Sequence, residues 1–221
     1  AIGKMKILVI QTAFPGDAIL TIPMIQELKK ENEHFSIDVI CIPSTKQIFD
    51  ASPAVNSTIA IDKKGAHKNI LSFIKFIKKI RANGYNKIYS PHRSLRSAFI
   101  VWLLRVKDSV GFSNSSLPFI YNEVVNYSPN AHEVSRNLSL IGFEVNENKW
   151  KILPELSVSD SAKEKINDFL EKNDLSKFIT IAPGSVWETK KYPANYYKQV
   201  IEHFIDDGYK IMLTGGADDK N

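Results

Sequence analysis

Cysteine is nearly absent, with Cys41 the single example in 221 residues. One thiol cannot build a disulfide framework, and five scattered histidines add no recognised zinc-ligand spacing. Cys41 lies in the apolar run from Ile37 to Ile42 and reads as a small core residue in a reducing, cytoplasmic setting. No apolar run approaches the roughly 18 residues of a membrane span, and no secretory signal is visible. Three phosphate or nucleophile signatures are also missing. There is no Gly-x-Gly-x-x-Gly dinucleotide fingerprint, no Walker loop and no Gly-x-Ser-x-Gly elbow.

What is present is ordinary globular material, 43% hydrophobic and 24% charged, enough for a sizeable core. The net charge of +5 is unevenly placed. Residues 1–150 hold 19 Lys/Arg against 12 Asp/Glu, and residues 151–221 hold 10 against 12. A basic first part points to an anionic partner: a phosphorylated glycolipid, a membrane surface or nucleic acid. A solvated lysine-rich surface explains it equally well. Nucleic acid is the weakest of these, since no basic-aromatic motif accompanies the charge. Ala1 to Lys4 precede a candidate initiator, Met5.

The apolar pattern alternates between strand and helix. Residues 5–10 read as a buried strand, and from Asp17 apolar residues fall at Ile19, Leu20, Ile22, Met24, Ile25 and Leu28, a helical spacing. Strands follow at 36–42, 57–62, 87–90, 109–112 and, as an edge, 123–127. Helices are expected at 46–51, 69–83, 93–105 and 131–141. This alternation predicts parallel βαβ units in a doubly wound sheet, a Rossmann-like domain over 1–150. Residues 146–159, with Pro154, read as a linker. A second alternation occupies 151–221: helix 160–173, strand 178–182, helix 194–207 and strand 209–214. Two strands make an incomplete domain, so the chain is expected to be truncated and inactive by itself.

Four stretches could carry chemistry, each at a strand-to-helix turn. Thr12-Ala13-Phe14-Pro15-Gly16-Asp17 puts a carboxylate at the mouth of the sheet, where open α/β folds build sites. An acid there also suits a helix N-cap. In Ala182-Pro183-Gly184-Ser185 followed by Lys190-Lys191, a glycine permits close backbone approach, a hydroxyl can donate, and two lysines bring point charges to a diphosphate. Ser90-Pro91-His92-Arg93 offers an imidazole and, with Arg96 three residues on, two guanidinium forks on one helix face. His132 and Arg136 are four apart, hence neighbours on one helical face, for a substrate or simply for packing. The helix at 70–82 mixes isoleucines with Lys75, Lys78, Lys79 and Arg81, and is expected to bury its apolar stripe on the sheet rather than lie on a membrane.

These stretches together resemble glycosyltransferase family nine, the ADP-heptose:lipopolysaccharide heptosyltransferases. Gly16-Asp17 with Pro23 in the following helix is similar to the start of that family. Lys190-Lys191-Tyr192-Pro193 is similar to its donor loop Lys-Arg-Trp-Pro, with Lys191 and Tyr192 as mild departures. Arg96-Ser97 matches a Lys/Arg-Ser pair, although the family commonly has an acid where Ser90 stands. His132 to Arg136 is similar to a His-Ala-Val-x-Arg run, and Pro118 to Asn122 to an apolar loop before it. The resemblance implies a GT-B fold and inverting heptose transfer from an ADP-sugar co-substrate to an anionic glycolipid. In that reading Asp17 is the catalytic base. Gly184, Ser185, Lys190 and Lys191 hold the donor, and Gly16, His92, Arg93, Arg96, His132 and Arg136 face the acceptor. It implies no cofactor, and with no Asp-x-Asp in the chain, no metal. A cytoplasmic enzyme is expected, with peripheral contact at the inner membrane. Another nucleotide sugar, or a non-catalytic α/β binding module, is the alternative.

Overall fold

The structure is a computed structural model that describes residues 5–62, 65–66, 68–144, 146, 148–185 and 188–216. The expected elements form close to their expected bounds. In the first unit they are β1 (Lys6–Ile10), α1 (Pro15–Glu31), β2 (Ser36–Cys41), α2 (Lys46–Asp50), β3 (Ser57–Ala60), α3 (Ile70–Arg81) and β4 (Lys87–Ser90). Then come α4 (Leu95–Leu104), β5 (Asp108–Phe112), β6 (Glu123–Val125) and α5 (Glu133–Ser139). The second unit has α6 (Asp160–Lys172), β7 (Phe178–Ile181), α7 (Ala194–Asp206) and β8 (Lys210–Leu213).

In the first unit six strands pair in parallel in the order β3-β2-β1-β4-β5-β6. The central strand β1 is apolar along its buried length because the sheet is covered on both faces. Side-chain alternation then divides the core. Ile7 and Val9 join Ile22, Ile25 and Leu28 of α1 and Phe49 of α2 on one face. Leu8 and Ile10 join Phe76, Ile77 and Ile80 of α3 and Ile100, Val101 and Leu104 of α4 on the other. Gly84, at a φ of +67°, turns the chain from α3 towards β4 in a conformation that favours glycine.

The chain divides into two compact units after Ser157, inside the stretch 146–159 that reads as a linker. Much of the expected linker is tied to the first unit: the Gln26 amide donates to the Leu153 carbonyl at 3.3 Å and its Oε1 accepts from the Glu155 amide at 3.0 Å. The Ser157 amide bonds the Ala51 carbonyl at 2.7 Å. The second unit pairs β7 with β8 in parallel, with α7 between them in sequence. Of its expected terminal turn, residues 217–221 lie outside the described residues.

Candidate active site

The strand order puts the site where the sequence alone could not. The chain steps from β1 through β2 to β3, then returns to the opposite side of β1 for β4. The loops leaving β1 and β4 therefore part from each other, opening a crevice beyond the carboxyl ends of the strands. A cleft of about 780 Å³ lies there, lined by residues that include Thr12, Phe14, Asp17, Asp62, His92 and Arg93.

Asp17 is not the cap of α1, contrary to one of its two sequence readings. Phe14 precedes the helix with no side-chain capping bond, and Pro15 fills the first helical position. Proline suits that position, so the helix begins two residues ahead of Asp17. The half-buried carboxylate lines the cleft, and no hydrogen bond to it forms among the described residues. Its backbone is held from beneath. Gln11 donates to Thr21 Oγ1 at 2.9 Å, and the Thr21 hydroxyl donates to the Asp17 carbonyl at 2.8 Å. Gln11 Oε1 also accepts from the Ala13 amide at 3.3 Å, so one buried side chain braces both ends of the turn. At Gly16 a Cβ would meet nothing within 4 Å, which leaves the rim beside Asp17 open.

His92 enters from the end of β4. Its Nδ1 lies 2.8 Å from Thr12 Oγ1, 2.9 Å from Ser97 Oγ and 3.2 Å from Ser94 Oγ. These three hydroxyls converge on one ring nitrogen and join the β1 loop to the start of α4. Ser90, where the family commonly has an acid, is fully buried. It donates to the His92 carbonyl at 3.2 Å and accepts from the Tyr121 hydroxyl at 3.2 Å. A small hydroxyl thus supports the loop from the core, where a buried carboxylate would need a charge partner.

The expected pairing of Arg93 with Arg96 on one helix face is corrected. Ser94 caps α4 with its hydroxyl, so Arg93 lies before the helix and Arg96 inside it. Arg93 lines the cleft and sits over the Tyr127 ring at 4.4 Å. Arg96 is exposed along a neighbouring groove. The structure instead brings Arg93 near Arg136, whose guanidinium is 5.0 Å from the same Tyr127 ring.

Arg136 is a brace. It binds Glu133 Oε2 and the carbonyls of Ser128, Pro129 and Ala131. The expectation of a shared helical face with His132 is also corrected, because His132 is the cap of α5. Its Nδ1 accepts from the Val134 amide at 3.3 Å, and its ring stacks on Trp150 at 4.7 Å. Both residues thus have structural partners.

Sequence reasoning assigned no role to Asp62 or Tyr127, and none to Thr12 within the first candidate stretch. Asp62 is a second carboxylate in the cleft, anchored by amides of Gly65 and Ala66. Its signal was its place at the carboxyl end of the expected strand 57–62, the end at which α/β folds build sites. For Tyr127 no local spacing carried a signal.

In the second unit Gly184 and Ser185 follow β7, and Lys190 closes a short 3-10 turn over 188–190. Val186 and Trp187 lie outside the described residues. The two lysines differ: Lys191 is ion-paired to Glu188 at 2.5 Å, and Lys190 is exposed at the end of the turn. Tyr192 packs against Tyr196 and Tyr197 at 5.6 and 5.0 Å, which steadies the entry to α7. Among the described residues no group of three His, Cys, Asp or Glu is placed to hold a metal ion, and no helix is long and apolar enough to cross a membrane.

This architecture matches solved structures. A glycosyltransferase family 9 protein from Veillonella parvula superposes with a TM-score of 0.87 at 22% identity, covering 100% of this chain and 65% of that one. The Escherichia coli ADP-heptose lipopolysaccharide heptosyltransferase II gives 0.80 at 22% identity, covering 97% and 66%. At these identities the likeness establishes the fold, and that fold is the expected α/β GT-B type. Among curated proteins, Escherichia coli lipopolysaccharide heptosyltransferase 3 is 27% identical over 226 residues, covering 93% of this chain and 62% of its own length. The chain thus spans a little under two thirds of that relative. The model of glycosyltransferase family 9 (heptosyltransferase) matches residues 73–221. The chain belongs to glycosyltransferase family 9.

Proposed function

We propose that the protein containing this chain is a glycosyltransferase that moves heptose from ADP-heptose to an inner-core hydroxyl of lipopolysaccharide, with inversion. The observation that carries this reading is Asp17: a carboxylate without a bonding partner among the described residues, held on a braced turn at the switch-point crevice. Membership of the family, a relative that is a lipopolysaccharide heptosyltransferase and a fold neighbour that is an ADP-heptose lipopolysaccharide heptosyltransferase support the donor and acceptor classes.

The chemistry follows from the side chains. Asp17 takes the proton of the acceptor hydroxyl as its oxygen attacks the anomeric carbon, and the bond from that carbon to the diphosphate breaks. Lys190 meets the charge that builds on the departing ADP, with Gly184 and Ser185 offering backbone approach and a hydroxyl donor. His92 and Arg93, on the β4 side of the cleft, bind the polar and anionic groups of the acceptor. Arg136 reaches this region only as the brace that shares Tyr127 with Arg93. The reaction uses no cofactor and proceeds in the cytoplasm.

Asp17→Asn in the full-length enzyme tests the assignment. The amide keeps the shape of the side chain but accepts no proton. Turnover is expected to fall about 10²–10⁴-fold with little change in ADP-sugar affinity. Near-normal turnover refutes the catalytic role. A panel of nucleotide sugars with the unaltered enzyme tests the donor, and preference for another sugar would replace heptose in the reading.

A further inference from the structure

The helix start that carries Asp17 is weakly secured by its own ladder. Pro23, inside α1, has no amide to give the Ile19 carbonyl, so a ladder bond is missing just beyond the acid. Buried side chains from three elements supply support of another kind, and the Thr21 hydroxyl is their meeting point. It donates to the Asp17 carbonyl at 2.8 Å and accepts from Gln11 Nε2 at 2.9 Å and from Asn137 Nδ2 at 3.5 Å. A hydroxyl has one donor and two lone pairs, so each is in use. Asn137 Nδ2 also donates to the Leu20 carbonyl at 3.0 Å, across 117 positions of chain. Gln11, Thr21 and Asn137 are 2%, 0% and 0% exposed, and away from water such bonds strengthen.

Asn137 has a feature that the fold alone does not call for. It lies on α5, which packs against α1. Its Oδ1 is buried and accepts no hydrogen bond among the described residues. An orphaned buried oxygen lowers stability, whereas a leucine of the same branched outline would fill the site without one. What the amide supplies is a fixed link from α5 to the helix start that bears Asp17. Asn137 is not among the residues lining the cleft, so its effect there passes through α1. Its neighbour Arg136 shares Tyr127 with Arg93, so one short helix steadies both walls of the cleft.

We propose that Asn137 is a positioning residue for transfer, which sets the first turns of α1 through Thr21 and the Leu20 carbonyl and so aims the Asp17 carboxylate at the acceptor hydroxyl. This positioning rests on the reading of Asp17 as the base. A base must lie within hydrogen-bond reach of the proton it takes, and a misplacement of about 1 Å costs about 10²-fold in rate.

In the full-length enzyme Asn137→Leu is expected to lower kcat about 10–100-fold, to leave ADP affinity unchanged by calorimetry, and not to lower the melting midpoint. The same substitution in an Asp17→Asn background is expected to cause no further loss, because the group being positioned is gone. A purely structural role predicts the reverse: a lower midpoint, and an equal loss in both backgrounds. Asn137→Ala, which cannot overpack the site, repeats the kinetic cycle if the leucine variant fails to fold. Unchanged kcat in the folded variants, or equal loss in both backgrounds, overturns the proposal. Near-normal turnover by Asp17→Asn alone overturns the reading of Asp17 and the positioning with it. An inactive Asp17→Asn beside a fully active Asn137→Leu overturns the positioning alone.

Discussion

Gly111→Ala should destabilise the first unit far more than one methyl group ordinarily does. A Cβ at position 111 would stand 2.6 Å from Tyr121 Cε1 and 2.7 Å from both Cδ atoms. Carbon atoms rest at about 3.5–4.0 Å, so the ring must retreat by about 1 Å. It has little room, since Tyr121 is 5% exposed and packs in the cluster with Leu8, Ile10, Ile88 and Ile100. Overpacking of this kind costs about 1–3 kcal/mol. The retreat also stretches the 3.2 Å bond from the Tyr121 hydroxyl to Ser90, which is worth about 1 kcal/mol more. A loss of about 2–4 kcal/mol lowers the melting midpoint by about 5–15 °C in a chain of this size. Differential scanning calorimetry reads it, with hydrogen exchange at β5 confirming which unit is weakened. Tyr121→Leu should also destabilise alone, by leaving a cavity. Combined with Gly111→Ala it should recover more than about 1 kcal/mol against additivity, because the new methyl then occupies vacated space. A midpoint shift below about 1 °C for Gly111→Ala, or strict additivity in the pair, would refute the clash. Ser90 also holds the His92 carbonyl, so the same substitution should loosen the site.

Other outcomes follow from single contacts. Lys190→Ala should weaken ADP-sugar binding and slow transfer in the full-length enzyme, whereas Lys191→Ala should do less because that lysine already pairs with Glu188. Calorimetry with ADP separates them, and equal, negligible effects would return the loop to a solvated surface. Burial pushes the Cys41 thiol up from 9.0 to about 11, outweighing a hydrogen bond with Thr45. The native thiol should therefore resist a disulfide reagent at pH 8 and react on unfolding. Because the folded value is the higher one, its stabilising contribution is complete below about pH 9 and is lost as pH rises through about 11. Urea melts across that range should show stability falling with pH, and a rise would contradict the burial.

The β1 turn shows how far local pattern reaches. The contiguous run Ile7 to Ile10 and the 3.6-residue spacing of Ile22, Ile25 and Leu28 identified a buried strand and a helix without reference to anything distant. Each pattern is a property of one segment lying against one core. The same reasoning drew attention to Asp17 and Lys190, since strand-to-helix turns are where α/β folds expose polar groups. It failed where local signals compete. Pro15 and Ser94 each moved a helix start by two residues, which put Asp17 inside α1 rather than at its cap and removed Arg93 from the helix bearing Arg96. Chain direction and spacing could not announce that Tyr127 would gather Arg93 and Arg136, or that Trp150 would cover His132. Those contacts span 34, 9 and 18 positions, beyond the few residues over which periodicity and turn chemistry act. The sequence by itself determined the elements, the α/β class and the residue types available at each turn, because hydrophobic periodicity and turn chemistry act within a few residues. Only the tertiary structure decided which turns meet, because the reversal of strand order between β1 and β4 is what opens one cleft beside Asp17, His92 and Arg93.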